Sequence, residues 1–126
     1  MANVSIDNLA AEITLAVKEY TEDVTDAIIE EANQASQRLV KEIRAKSPRR
    51  TGEYAKGWAR KKTGRGDEVR YVIYNRKKPW LAHLLEFGHA KRGGGRVSER
   101  PHIRPTADKE IAAFQERVRA IIRNGG

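Results

Sequence analysis

His83, Glu86 and His89 stand at i, i+3 and i+6, a spacing that puts imidazoles and a carboxylate on a partly shared helix face and imitates a metal site. A catalytic metal needs about three ligands in fixed geometry, backed by groups that orient them. Gly88 ends the segment before His89, so the third ligand falls off the helix and no metal is expected. Nucleophilic chemistry would need a Ser or Thr beside a His with an orienting acid. The candidates Ser47, Thr51 and Ser98 lie in basic loops without an adjacent His. Paired carboxylates for acid–base work are equally hard to place, because most acids belong to the first third of the chain. The expectation is a chain that is not an enzyme, with no catalytic residue, no cofactor and no small-molecule substrate.

Two further patterns invite an anion. Arg92-Gly-Gly-Gly-Arg96 could let backbone N–H groups approach a phosphate. It lacks the Lys-Ser/Thr and the preceding strand of a true phosphate-binding loop, so contact with a nucleic-acid backbone is the better use of it. Tyr54, Trp58, Tyr71, Tyr74 and Trp80 could stack on bases, but aromatics in a small sheet more often build its core.

The charge is unevenly placed. The net is +8 over 126 residues, yet residues 1–46 carry nine acids and five bases while residues 47–105 carry sixteen bases and five acids. The positive field, and with it any acidic partner, belongs to the middle. The chain has no cysteine, which excludes disulfides and thiolate chemistry and is compatible with a cytosolic site of synthesis. No apolar run reaches a membrane span, and Met-Ala-Asn-Val-Ser lacks the order of a signal peptide.

One domain over 1–126 is expected, in three parts. In residues 1–46, Ile6, Leu9, Ile13, Val17, Tyr20, Val24, Ile28, Ala32, Ala35, Leu39 and Ile43 recur at helical spacing until Ser47-Pro48 stops them, predicting one long helix. About 40 residues make roughly 60 Å, longer than such a domain is wide, so the helix must bend near Thr21-Glu22-Asp23 or project. In residues 47–105, strands are predicted around 57–62 and 68–74, a short helical segment over 80–87, and a mobile glycine-rich loop over 88–100. Residues 106–126 read as a closing helix.

The order of four short boxes resembles the head–tail joining, or tail-completion, family of long-tailed phages and of prophages of Gram-positive bacteria. Pro48-Arg49-Arg50-Thr51-Gly52-Glu53-Tyr54-Ala55-Lys56-Gly57-Trp58 is similar to the first, and Val72-Ile73-Tyr74-Asn75 to the second. Leu81 to His89 resembles a Leu-Glu-x-Gly box. Arg92 to Val97, followed by Pro101-His102-Ile103-Arg104-Pro105, resembles the last. Phe87 and Arg104 depart from residues common in relatives. The resemblance implies an α+β fold: a long N-terminal helix, an antiparallel sheet of three to four strands, and a C-terminal helix packed on it. It also implies a virion protein of the neck or tail, assembling into a ring between head connector and tail tube, with phage proteins as partners and no membrane. Trp58, Tyr74, Asn75, Glu86, Gly88 and Pro101 carry the boxes, with Glu86 a counter-charge near the core. Lys91, Arg92, Arg96 and Arg100, and after them Arg49, Arg50, Thr51 and Gly52, are the candidate contacts to acidic partners or passing DNA. The reading from another class is a nucleic-acid-binding protein acting through residues 47–105.

Overall fold

The computed structural model describes residues 9–16, 20–48, 52–65 and 68–125. The elements in order are β1 (Leu9–Ala16), α1 (Glu22–Lys46), α2 (Glu53–Lys56), β2 (Trp58–Arg65), β3 (Glu68–Asn75), α3 (Pro79–Phe87), β4 (His89–Ala90), β5 (Arg96–Val97) and α4 (Arg104–Asn124). The class is α+β: a long helix, a three-stranded antiparallel sheet in the order β1-β3-β2, a small second hairpin and a C-terminal helix.

The single helix expected over 1–46 is corrected by its first third. Residues 9–16 are a strand, paired antiparallel with β3 from Leu9↔Tyr74 to Ala16↔Glu68. Leu9, Ala11, Ile13 and Leu15 fit a period of two as well as Leu9 and Ile13 fit a period of four. The open edge of β3 decides between them, because its unpaired N–H and C=O groups need a partner. The helix starts at Glu22, within the stretch 21–23 where a bend was one of the two expectations. Thr21 caps it, its hydroxyl accepting from the Val24 N–H at 3.3 Å, and Glu22 and Asp23 occupy the first turn, where the helix dipole favours acids. Ser47 ends it in extended conformation before Pro48.

The hairpin of β2 and β3 runs in register from Trp58↔Asn75 to Arg65↔Glu68, longer on its first strand than composition suggested. Val69, Tyr71 and Ile73 point from the central strand to α1 and α4, which cover that face. Two apolar clusters divide the core. Val24, Ile28, Ala32 and Phe114 meet Ile13, Val69 and Tyr71 in one. Leu39, Ile43, Ile103 and Ala107 meet Tyr54, Trp58 and Ile73 in the other. The start of α1 therefore lies beside the end of α4, and its end beside the start of α4. Ala32 and Ala35 are fully buried on α1 and let the layers approach. Glu31 and Glu110 clasp Arg38 and Arg117 between α1 and α4, with Arg38 at 2.9 Å from Glu31 and 3.0 Å from Glu110.

The stretch 88–100, expected as a mobile loop, contains the β4–β5 hairpin. Its strands are two residues each, His89↔Val97 and Ala90↔Arg96, closed by the Lys91 N–H on the Gly95 carbonyl at 3.0 Å. The three consecutive glycines, Gly93 to Gly95, lie in the turn that closes it, where Gly94 and Gly95 take positive φ.

Candidate functional site

The boxes that lie far apart in sequence converge at the end of the molecule where α1 stops and α4 starts. Glu86 is the hinge of this region. It is buried on α3, yet its carboxylate is fully used: Oε1 accepts the His102 and Ile103 N–H groups at 2.9 Å each, and Oε2 the Arg104 N–H at 2.9 Å. These are orphan donors at the start of α4, whose capping position, Ile103, has no side-chain acceptor to offer. A carboxylate from another helix thus caps α4 and neutralises its positive end. Burial by itself would push the Glu86 carboxyl up, but the backbone N–H donors of His102, Arg104 and Ile103 outweigh it and hold the group below its ordinary value. Glu86, expected as a counter-charge near the core, is met in the structure by three backbone N–H groups, with His102 Nδ1 3.4 Å from Oε1.

His102, quoted within a box but not singled out by sequence reasoning, is the second member. Its side chain is buried, with Nδ1 2.7 Å from the Arg100 carbonyl and Nε2 2.7 Å from the Tyr54 hydroxyl. The carbonyl can only accept, so Nδ1–H donates to it and Nε2 receives the Tyr54 O–H. Burial and the charge of Glu86 push the Tyr54 phenol up, which keeps that proton in place. Its signal in sequence was a His flanked by Pro101 and Ile103, where a solvent-facing histidine has no reason to sit.

Trp58 and Asn75 tie the first two boxes. Trp58 is 1% exposed, and its indole N–H donates to the Ser47 hydroxyl at 2.7 Å, which in turn donates to the Ile43 carbonyl at 2.6 Å. Asn75 donates to the Tyr54 carbonyl at 2.8 Å and accepts the Lys77 and Lys78 N–H groups at 3.1 and 2.9 Å. Gly57 has no room for a side chain, since a Cβ would stand 2.3 Å from Asn75 Oδ1. Tyr54, Trp58 and Tyr71 are core residues, as expected of sheet aromatics, while Tyr74 is half-buried on the other face. Trp80 is 61% exposed and is not core.

Gly88 lets β4 leave α3. It sits at φ 72°, ψ 177°, a conformation essentially reserved for glycine, and a Cβ there would lie 2.6 Å from the Val97 carbonyl oxygen. Gly88→Ala is expected to cost about 2–4 kcal/mol, from the strained backbone plus the displaced hairpin. Thermal melting checks it; a midpoint within a degree or so of wild type would contradict the geometry.

The metal pattern dissolves. Glu86 points at backbone, His83 packs against Phe87 with ring centres 4.9 Å apart, and His89 is in β4. No metal-holding group of His, Cys, Asp and Glu occurs among the described residues. No helix of the described residues is long and apolar enough to cross a membrane.

The candidate partner contacts fall near one another. Lys91, Arg92, Arg96 and Arg100 are all exposed, on the second hairpin and the irregular segment that follows it. Arg96 steadies that hairpin by donating to the Phe87 carbonyl at 2.8 Å. Arg49, Arg50 and Thr51 lie outside the described residues. Gly52 borders a groove of about 460 Å³ that Pro48, Tyr54, Leu81 and Leu85 also line, with Lys78 and Arg100 beside them. Pro101 is exposed and leads the chain back toward Glu86. This end of the molecule is thus a rigid polar knot beneath a basic, partly apolar surface.

Over residues 11–88 the chain matches a family model described as HK97-gp10-like, a bacteriophage tail component. The match runs from β1 to the end of α3 and stops before the backbone N–H groups that Glu86 holds. Neither a curated protein nor a solved structure matches.

Proposed function

The chain belongs to the HK97-gp10-like family of bacteriophage tail components, and we propose that it acts as a tail-completion protein, one subunit of a ring that joins the tail to the head connector. Membership makes it a structural phage protein, with the virion as its setting and other phage structural proteins as its partners. The finer role draws on one observation: the converging boxes build a scaffold, not a reacting centre. Glu86, His102, Tyr54, Asn75, Ser47 and Trp58 spend their polar atoms on backbone or on each other. What that knot presents outward is the hairpin with Lys91, Arg92, Arg96 and Arg100. In this reading those cations, with residues 49–52, meet acidic surfaces of neighbouring proteins, and the chain catalyses nothing.

Deleting the gene from its phage is expected to leave DNA-filled heads and finished tails unjoined, with joining restored by a plasmid copy. Tailed particles in normal number without the protein would overturn the proposal. The four exposed cations of the hairpin and the segment after it also favour a second reading, a basic nucleic-acid-binding protein acting through residues 47–105. The same preparation decides between them: tail completion expects only weak duplex binding, whereas roughly micromolar affinity at physiological salt, falling steeply as salt rises, favours the second.

A further inference from the structure

The groove that Gly52 borders draws on all four boxes. The first supplies Pro48, Gly52 and Tyr54, and the third supplies Leu81 and Leu85 from α3. The second holds Lys78 in place, because Asn75 Oδ1 accepts the Lys78 N–H at 2.9 Å. Arg100 stands just before Pro101 of the fourth. Its N–H donates to the Leu85 carbonyl at 2.7 Å, and its own carbonyl accepts from His102 Nδ1 at 2.7 Å. Two cations thus rise from fixed backbone along an otherwise apolar groove.

Neither cation is spent. Among the described residues, no ion pair involves Lys78 or Arg100. No acid of the described residues lines the groove, and Glu53, next to Gly52, faces Lys77 at 3.8 Å instead. Leu81 and Leu85 are half-buried: they pack on the core cluster of Leu39, Ile43 and Ile103 and also line the groove. Tyr54 is 5% exposed, with its hydroxyl committed to His102. The lining side chains therefore leave a ligand two positive charges and apolar surface. The volume of about 460 Å³ lies within the roughly 300–1,000 Å³ of sites that hold small ligands.

We propose that this groove docks an acidic linear segment of a neighbouring protein. An aliphatic side chain of that segment enters between Tyr54, Leu81 and Leu85, and carboxylates flanking it meet Lys78 and Arg100. Charge complementarity selects this occupant, since two unpaired cations beside an apolar wall favour carboxylates over a neutral segment. A nucleic-acid backbone would use the cations alone, because the one aromatic ring of the lining, Tyr54, is too buried to stack a base. A second copy of this chain brings a net charge of +8, which makes a different, acidic protein the better source. The assignment rests on the reading above that acidic surfaces of phage proteins are the partners, and it gives that contact a socket.

The probe is the synthetic peptide acetyl-Gly-Asp-Leu-Asp-Gly-amide, titrated into the full chain while amide chemical shifts are followed. Shifts are expected at Gly52, Lys78, Leu81, Leu85 and Arg100. The affinity should be about tenfold above that of peptides with Asn-Leu-Asn or Asp-Gly-Asp at the centre. A variant carrying Lys78→Glu and Arg100→Glu should lose about tenfold for the acidic peptide and bind Lys-Leu-Lys in its place, a reversal that loss of folding could not produce. No shift at these residues up to about 5 mM peptide, equal affinity for Asn-Leu-Asn, or shifts gathered at Lys91 to Arg96 would each overturn the proposal. So would either of two other occupants. A short thymidine single strand that moves the same residues at equal affinity assigns the groove to nucleic acid, and shifts that grow with protein concentration alone assign it to a second copy. The gene deletion reads out tail joining independently. Unjoined tails without peptide binding would sink this site alone, and normal particles with selective binding in the groove would sink the joining role alone.

Discussion

Glu86→Ala is expected to destabilise the fold by about 3–5 kcal/mol, because it strands three backbone donors at a buried helix start. The Val97-to-Arg104 stretch should loosen with it, since the His102, Ile103 and Arg104 N–H groups have only this acceptor. Glu86→Gln should cost less at neutral pH: its amide oxygen can still accept, but its NH₂ replaces the second acceptor where Arg104 donates. Urea unfolding measures both, and amide exchange at residues 102–104 localises the effect. The pH dependence has a definite sign. The folded carboxyl is held below its ordinary value, so its contribution is complete above about pH 4.3, the unfolded value for Glu. It is lost as pH falls through the lower folded value. The gap between wild type and Glu86→Gln should therefore be widest at neutral pH and shrink below about pH 4. A gap that stays constant down to strong acid would mean that Glu86 is not the ionised cap described here.

Trp58→Ala is expected to cost about 4 kcal/mol, the loss for emptying a large aromatic site in a packed core. Trp58 touches both ends of the early boxes, lying edge-on to Tyr54 with ring centres 5.4 Å apart and holding Ser47 at the stop of α1. Its own carbonyl takes the Arg44 guanidinium at 2.9 Å, a bond that the backbone keeps in any variant. Trp58→Phe should lose only about 1–2 kcal/mol, since most of the ring volume stays and the Ser47 hydroxyl still donates to Ile43. Far-UV circular dichroism during urea unfolding gives both values. Fluorescence provides a separate check. The alanine variant retains only Trp80, at 61% exposure, so its folded emission should move close to that of the unfolded chain. A cost under about 1 kcal/mol for the alanine variant would contradict the packing.

Much of the molecule was legible in the residues themselves. The repeats from Val24 to Ile43 and from Ile111 to Ile122 specify two helices, because a helix brings residues three and four apart onto one face. Ser47-Pro48, Gly88 and Pro105 mark element ends through local sterics, and Glu68 to Tyr74 reads as a strand from its β-branched and aromatic residues. Residues 9–16 were not legible, since Leu9 and Ile13 satisfy two periods at once and the choice belongs to the free edge of β3, far along the chain. The same holds for the site. Its boxes are visible as strings, but nothing in the string Leu-Glu-Phe-Gly says that its carboxylate will cap a helix sixteen to eighteen residues later.

The chemistry that opened the sequence reading shows the division most plainly. By itself the sequence determined that His83, Glu86 and His89 make a poor metal site, because Gly88 breaks their common face. Only the tertiary structure decided what they do: Glu86 turns inward to backbone donors, His83 turns outward beside Phe87, and Trp80 is left in solvent. Local preferences act over three or four residues and are written in the chain. Capping across elements, strand pairing and the exposure of a side chain depend on what arrives from elsewhere, and that is set when the layers pack.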